Sequence, residues 1–423
     1  MSIGAGAKAL ALRALQALPG RGAHAAIALG WSVCLVGATA AHAAALVRVE
    51  LTRPEGPRHY LVAAPADGDE RRALVILLHG HGGSAAQILG QRRSAAPMST
   101  WLRIAERERL VVAAPDGIAG RDGRPGWNDC RDDAEDNPTS DDVATIDALI
   151  AREIERHHVD PQRIYAMGMS NGGVFAYRLA AELAHPLAGF VAVAASMPAH
   201  TRCPAPMRPT SALVIGGTAD PLMPWGGGEV GFAGRPTRGA VIGAEASAAV
   251  WRRLDGLPAG PSLDAALQHR DRSDPTRVER IVWGSDVDGL QVELLRVDQG
   301  GHVEPSIDQR YGRLYLRIVG AQNGDVESAE EAWRFLKTKR HTTRSLRTGL
   351  PMPRSAGMSA SWPLYPVSSR GSLTVNSAPG DAAFPVPGRR ASATTTLPPW
   401  RCTISCTMAS PSPLPSTWVS GER

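Results

Sequence analysis

The chain has 423 residues, 43% hydrophobic and 21% charged, with a formal charge of +5. That length accommodates one large domain with appendages, and the composition excludes a coiled coil, a collagen or a bundle of membrane helices. Nor is the positive charge a nucleic-acid signature: residues 1–43 carry +3, residues 341–423 carry +6, and 44–340 are left at −4, whereas a nucleic-acid binder concentrates its basic residues on the folded module.

In chain order, Lys8, Arg13 and Arg21 precede an apolar run, Ala25–Ala40, and then Ala41-His42-Ala43. Basic leader, apolar run and small residues read as a signal peptide over 1–43, cleaved on export. The run is short for a membrane span, so no stable membrane insertion is expected after cleavage; an uncleaved anchor is the competing reading. The expected location is secreted, extracellular or periplasmic. Two β-rich stretches follow, Leu46–Thr52 and His59–Ala63, then a continuous apolar strand, Ala73–Leu78, of the kind buried on both faces of a sheet. Thr100–Arg107 reads as helix and Leu110–Ala113 as strand. Residues 118–140 read as a long Gly-, Asp- and Pro-rich loop, and Asp141–His157 as an amphipathic helix capped by Ser140. Ile164–Met167 is strand and Gly172–Leu183 helix. Phe190–Ala194 and Ala212–Ile215 are strands, 240–255 helix, 278–283 and 290–297 strands, and 328–338 helix. Strands alternating with helices imply an α/β fold with a mostly parallel central sheet and helices on both faces. The domain spans 44–340. Residues 341–423, rich in Ser, Thr, Pro and Arg, read as a disordered tail or as the translation of a shifted reading frame.

Five cysteines are present. Cys34 leaves with the signal, and Cys402 and Cys406 lie in the tail. An oxidising compartment would let Cys130 and Cys203 pair, the alternative being two free thiols; neither has metal-ligand spacing.

The chemistry centres on Gly168-Met169-Ser170-Asn171-Gly172. A strand precedes this Gly-x-Ser-x-Gly segment and a helix follows it, the setting in which a sharp turn lifts a serine hydroxyl above the edge of an α/β-hydrolase sheet. Side chains at the two flanking glycines would collide with neighbouring elements. A serine needs a base, and in this setting an acid and then a histidine follow it in the chain. Asp220 ends the strand Ala212–Ile215 through Gly216-Gly217-Thr218-Ala219, a better position than Asp274, Asp286 or Asp288 in polar loops, or Asp116, which precedes the serine. His302, in Gln299-Gly300-Gly301-His302, comes last and before the final helix, whereas His269 lies in a charged stretch and His341 opens the tail. Backbone N–H groups of Asn171 and of His81 or Gly82, with His81 favoured, in His79-Gly80-His81-Gly82-Gly83-Ser84, are the candidate oxyanion donors. The rings of His79 and His81 are expected to be structural. Trp127 and Trp225 flank these segments and are candidate walls of a substrate pocket.

Taken together, Leu78–Ser84, Gly126-Trp127-Asn128-Asp129, Val159–Tyr165, Gly168–Gly173, Gly217–Pro221 and Gly300-Gly301-His302 form an ordered series. The series resembles the secreted polyhydroxybutyrate depolymerase-like esterases, which group with feruloyl and acetylxylan esterases of carbohydrate esterase family 1. The resemblance covers 46–338. It implies an α/β-hydrolase fold, a Ser170–Asp220–His302 triad, His81 and Asn171 at the oxyanion hole, carboxylic esters as substrates, and neither metal nor cofactor. Feruloyl or acetylxylan esters are the alternative substrates; a catalytically silent binding protein is the alternative from another class. The family's Gly-Gly-His-Thr-Trp-Pro becomes Gly300-Gly301-His302-Val303-Glu304-Pro305 here, so an acid is expected where the pocket would offer an aromatic.

Overall fold

Residues 45–341, apart from 67, 69, 232–237 and 286–288, are described by a computed structural model of the protein. They belong to one compact unit, Met1–Ser359; a second, Ala360–Arg423, lies wholly outside them. The expected signal segment and the tail beyond His341 also lie outside the described residues.

The chain begins with a hairpin of β1 (Val47–Arg53) and β2 (Gly56–Ala63), then β3 (Arg72–Leu78). Helix α1 (Ala85–Ile88), a 3₁₀ turn (Pro97–Ser99) and α2 (Thr100–Glu108) lead to β4 (Val111–Pro115). The stretch read as loop holds a small ribbon, β5 (Ile118–Ala119) with β6 (Pro125–Gly126), before α3 (Asp142–His157), β7 (Val159–Met169), α4 (Asn171–Glu182), β8 (Gly189–Val193) and β9 (Ser211–Gly217). A second ribbon, β10 (Gly228–Glu229) with β11 (Ala240–Val241), precedes α5 (Ala244–Leu254) and β12 (Leu263–Ala266). β13 (Arg277–Gly284), β14 (Gln291–Asp298), α6 (Arg313–Val319) and α7 (Ser328–Leu336) complete the described chain. The cap of α3 differs from expectation. Asp141 accepts from the Ala144 N–H at 3.1 Å, while Ser140 donates to the Asp142 carboxylate; Asp141 holds the position from which a side-chain oxygen reaches the third helical N–H.

Ten strands form one sheet in the order β1-β2-β4-β3-β7-β8-β9-β14-β13-β12. The six from β4 to β14 run parallel, with antiparallel pairs at both ends. The centres of the parallel strands are largely apolar because helices cover both faces: every residue of β3, β4 and β8 is buried. Ala73, Val75 and Leu77 share one core with Trp101 and Ile104 of α2 and Trp333 and Leu336 of α7. Leu74, Ile76 and Leu78 alternate to the other face, where α3, α4 and α5 pack. Each such Leu or Ile contributes about 2 kcal/mol by leaving water. Parallel strands bring their carboxyl ends to one edge, where ligand sites form in such sheets. The loops after β3, β7, β9 and β14 therefore meet there, although they are far apart in the chain.

Candidate active site

Ser170 occupies the turn between β7 and α4 with φ 55° and ψ −123°. A non-glycine residue there costs on the order of 1–3 kcal/mol and persists only where its surroundings impose it. Two backbone bonds do so: Ser170 N–H to Val193 C=O, and Val174 N–H to Ser170 C=O, both 2.9 Å. The glycines around it are set by contact. A Cβ on Gly168 would lie 2.1 Å from the Gly172 oxygen, and one on Gly172 would lie 2.5 Å from the carbonyl oxygens of both Leu78 and His79. The tight elbow is the result of those close approaches.

Asp220 and His302 reach this turn from the ends of β9 and β14. Their loops pack backbone on backbone: a Cβ on Gly217 would lie 2.2 Å from the Gly300 oxygen, and the Ala219 N–H donates to the same oxygen at 2.9 Å. On its other side, the Gly301 N–H donates to Ala321 and the His302 N–H to Val319, at the end of α6. His302 Nδ1 lies 2.8 Å from Asp220 Oδ2, and Nε2 lies 2.9 Å from Ser170 Oγ. Asp220 Oδ1 accepts from the N–H groups of Leu222 and Met223, each at 2.8 Å. A carboxylate only accepts, so Nδ1 carries the ring proton and donates to Asp220. The Nε2 lone pair then faces the Ser170 hydroxyl. Asp220 and His302 are both buried, so the pair is shielded from competing water. Of the rival residues, His269 pairs with Asp325, and Asp116 accepts from the Ala85 N–H. Asp286 and Asp288 lie outside the described residues.

The loop after β3 lies against the serine turn: a Cβ on Gly80 would be 3.5 Å from that of Ser170. Gly82, at φ 75°, turns the loop, and its N–H donates to Pro125 at 2.7 Å. His79 accepts from the Gly117 N–H at Nε2 (2.9 Å), so its Nδ1–H donates to the Gly80 carbonyl (2.8 Å), and burial pushes its pKa down. Its ring is thus a neutral bracket between two loops. His81 Nε2 lies 2.8 Å from Asp122. The Asn171 side chain is wholly engaged: Oδ1 accepts from Trp127 N–H, and Nδ2 donates to the Trp127 carbonyl and, at 2.7 Å, to Asp129. Asp129 is buried and takes a forked contact from the Arg131 guanidinium and a bond from Asn137. Cys130, between them, is disulfide-bonded to Cys203, with Cα atoms 5.7 Å apart. Closing that 73-residue separation stabilises the fold by roughly 4 kcal/mol.

A cavity of about 460 Å³ opens beside Ser170 and His302. Gly80, His81 and Asn171 border it; Leu222, Met223, Val230, Tyr315, Ile318 and Val319 supply its apolar lining, and Arg124, Arg131 and Arg238 its charged lining. The two tryptophans expected as walls are elsewhere. Trp127 is fully buried, stacked on Phe175 with its Nε1–H on the His79 carbonyl, because its ring fills the space behind the loop after β3. Trp225 packs on Gly216, whose missing side chain makes room for the indole, and borders a separate small cleft. Glu304 does not stand in the pocket either. It is buried, accepts from the Tyr311 hydroxyl at 3.0 Å, and burial pushes its carboxyl pKa up. The aromatic at the cavity is Tyr315, from a helix the sequence reading missed.

Among the described residues, one His/Cys/Asp/Glu cluster has ligand spacing, Cys130, Glu182 and Cys203, and its two sulfurs are bonded to each other. No helix among them is long and apolar enough to cross a membrane.

Residues 59–230 match the phospholipase/carboxylesterase family. The chain is 30% identical over 278 residues to "Putative esterase NocK" of Nocardia uniformis subsp. tsuyamanensis, covering 63% of this chain and 74% of that one. It is 27% identical over 244 residues to feruloyl esterase B of Piromyces equi, covering 56% of this chain and 40% of that protein. Among solved structures, an acetyl xylan esterase from Aspergillus awamori aligns at 12% identity with a TM-score of 0.42, over 64% of this chain and 98% of that one. The chain belongs to the carboxylesterase family of α/β hydrolases and is an esterase-type hydrolase.

Proposed function

We propose that the protein is an exported serine carboxylic-ester hydrolase of the polyhydroxybutyrate depolymerase-like type, acting on hydroxyalkanoate oligomers or polymer. The observation that carries the reading is the hydrogen-bonded chain Ser170–His302–Asp220 at a strained strand-to-helix turn. His302 Nε2 takes the Ser170 proton as Oγ attacks the ester carbonyl. Asp220 holds the ring in the productive tautomer and stabilises the imidazolium. The oxyanion rests on the N–H groups of His81 and Asn171. Collapse expels the alcohol, which receives the proton from His302, and leaves an acyl-Ser170. Water, deprotonated by His302, then releases the acid and restores the serine. The Cys130–Cys203 bridge supports export, since such bonds persist in oxidising compartments.

A second reading, hydrolysis of feruloyl esters, is favoured by the likeness to feruloyl esterase B. Hydroxybutyrate oligomers, methyl ferulate and acetylated xylan assayed side by side decide between them; turnover of ferulate with none of the oligomers replaces the first by the second. A fluorophosphonate probe should label the wild type and not Ser170→Ala. Equal labelling of both, or an unlabelled and inactive folded wild type, would leave a silent binding protein instead.

Asp129 acts in this scheme as a positioning residue, clamping the side chain of Asn171, the residue whose backbone N–H the scheme uses. Asp129→Ala should lower kcat about tenfold or more at little changed KM, part of the effect of losing an oxyanion donor outright. It also strands the Arg131 charge and destabilises the fold by about 3–5 kcal/mol. Asp129→Asn, which keeps an acceptor, should recover most of kcat. If kcat per titrated site is normal in Asp129→Ala, the clamp is purely structural.

A further inference from the structure

The cavity beside Ser170 has a mixed lining. It combines apolar side chains with three arginines, and no carboxylate side chain lines it among the described residues. Arg131 is neutralised by its forked contact with Asp129. Arg238 is not: it has no ion pair among the described residues, and its Nη2 is buried with no acceptor among them. A buried unmatched donor costs about 1–3 kcal/mol, more when charged, so in a native site it calls for a partner. The charges of Asp122, Asp136 and Asp129 reach Arg238; Asp122 and Asp129 are committed to His81 and Arg131, and among the described residues Asp136 makes no ion pair with it. Burial lowers the affinity of Arg238 for its proton, yet a guanidinium stays charged at neutral pH. Arg124, exposed at the same cavity, adds a second positive charge with no ion pair among the described residues.

The position of Arg238 is built in. Its N–H donates to Val230 and its carbonyl accepts from Arg131 Nη1 at 2.6 Å. The next residue, Gly239, sits so close to Asp133 that a Cβ would lie 2.4 Å from its Oδ1. The same Asp129–Arg131 pair that clamps Asn171 therefore also anchors the backbone of Arg238. Serine turn and guanidinium are tied to one rigid network.

Accepting the serine esterase reading above, on which this step rests, we infer that the preferred substrate is an ester carrying a free carboxylate. The apolar lining takes its hydrocarbon part, and Arg238, with Arg124, takes the carboxylate. Such a molecule is a half-ester of a dicarboxylic acid or a hydroxyacid oligomer cut near its free acid end, rather than a neutral ester or the interior of a long polymer.

The test compares the monomethyl esters of succinic, glutaric, adipic and suberic acids with methyl alkanoates of matching chain length, following acid release by titration. For at least one pair, wild-type kcat/KM should favour the half-ester by about tenfold or more, the range of a charge-assisted bond in a buried site. Arg238→Met should shrink that ratio about tenfold, and Arg238→Lys should keep part of it. Because Arg238→Met could disturb folding, inhibition of the wild type is a second readout: glutarate or adipate should compete with methyl alkanoate hydrolysis where the corresponding dimethyl esters act only as substrates. Ratios at or below one across the series, with no inhibition by the diacids, would overturn the inference while leaving the esterase reading intact, since the alkanoates would still be cleaved. Failure to cleave any of these esters would overturn both.

Discussion

Ser170→Ala should lower kcat by about a million-fold, His302→Ala should lower it as far, and the double variant should fall no further, because residues that act as a unit lose their effect together. The geometry gives the reason. Without the imidazole, 2.9 Å away, the serine hydroxyl keeps its proton and is a poor nucleophile; without the serine, the base has nothing to activate. What remains is binding and the two backbone donors, worth roughly 10³–10⁴ over water in such sites. Steady-state rates on a chromogenic ester, normalised by folded protein, measure this. Additive losses would mean that Ser170 and His302 act separately, and the proposed mechanism would fall.

Gly172→Ala should be among the most damaging single methyls in the site. The added carbon meets two backbone carbonyls, of Leu78 and His79, at 2.5 Å, and neither can rotate away as a side-chain end could. Leu78 closes β3 in the fully buried sheet, and the His79 oxygen also holds Trp127 Nε1. Relief thus requires moving the helix start from the sheet. The expected cost is above 4 kcal/mol, the exceptional tail of single substitutions, together with displacement of the His81 loop and loss of activity in what folds. Gly260→Ala is the control: its Cβ would meet nothing within 4 Å, at an ordinary φ, so it should be neutral or slightly stabilising. Thermal unfolding of the pair checks this. A Gly172→Ala protein that melts with the wild type would show that the elbow can relax.

The legible parts of this molecule are those where chemistry and backbone geometry demand particular residue types in particular places. A strand buried on both faces has to be apolar along its length, so Ala73–Leu78 was readable as strand. An elbow whose neighbours approach within 2.5 Å has to carry glycine, so Gly168 and Gly172 marked Ser170. Parallel topology requires the acid and the histidine at later strand ends, which singled out Asp220 and His302 before any distance was known. Residues whose role depends on what crosses them from elsewhere were harder to read. Trp127 looks like a pocket wall until Phe175 and His79 are seen to enclose it. Glu304 looks like a pocket acid until Tyr311 turns it inward. The helix Arg313–Val319 buries only Val319, leaving Leu314, Tyr315 and Ile318 exposed, the last two at the cavity.

The sequence by itself determined the α/β class, the serine turn, and the strand-end positions of Asp220 and His302, because each follows from local backbone demands or from the rules of parallel connection. Only the tertiary structure decided what surrounds the serine. Arg131 pins Arg238 across more than a hundred residues of chain, and Asp129 ties Asn171 to the same pair. Such contacts leave no period or spacing in the sequence, because the guanidinium needs only to arrive at the right point in space, and any ordering of loops that brings it there will serve.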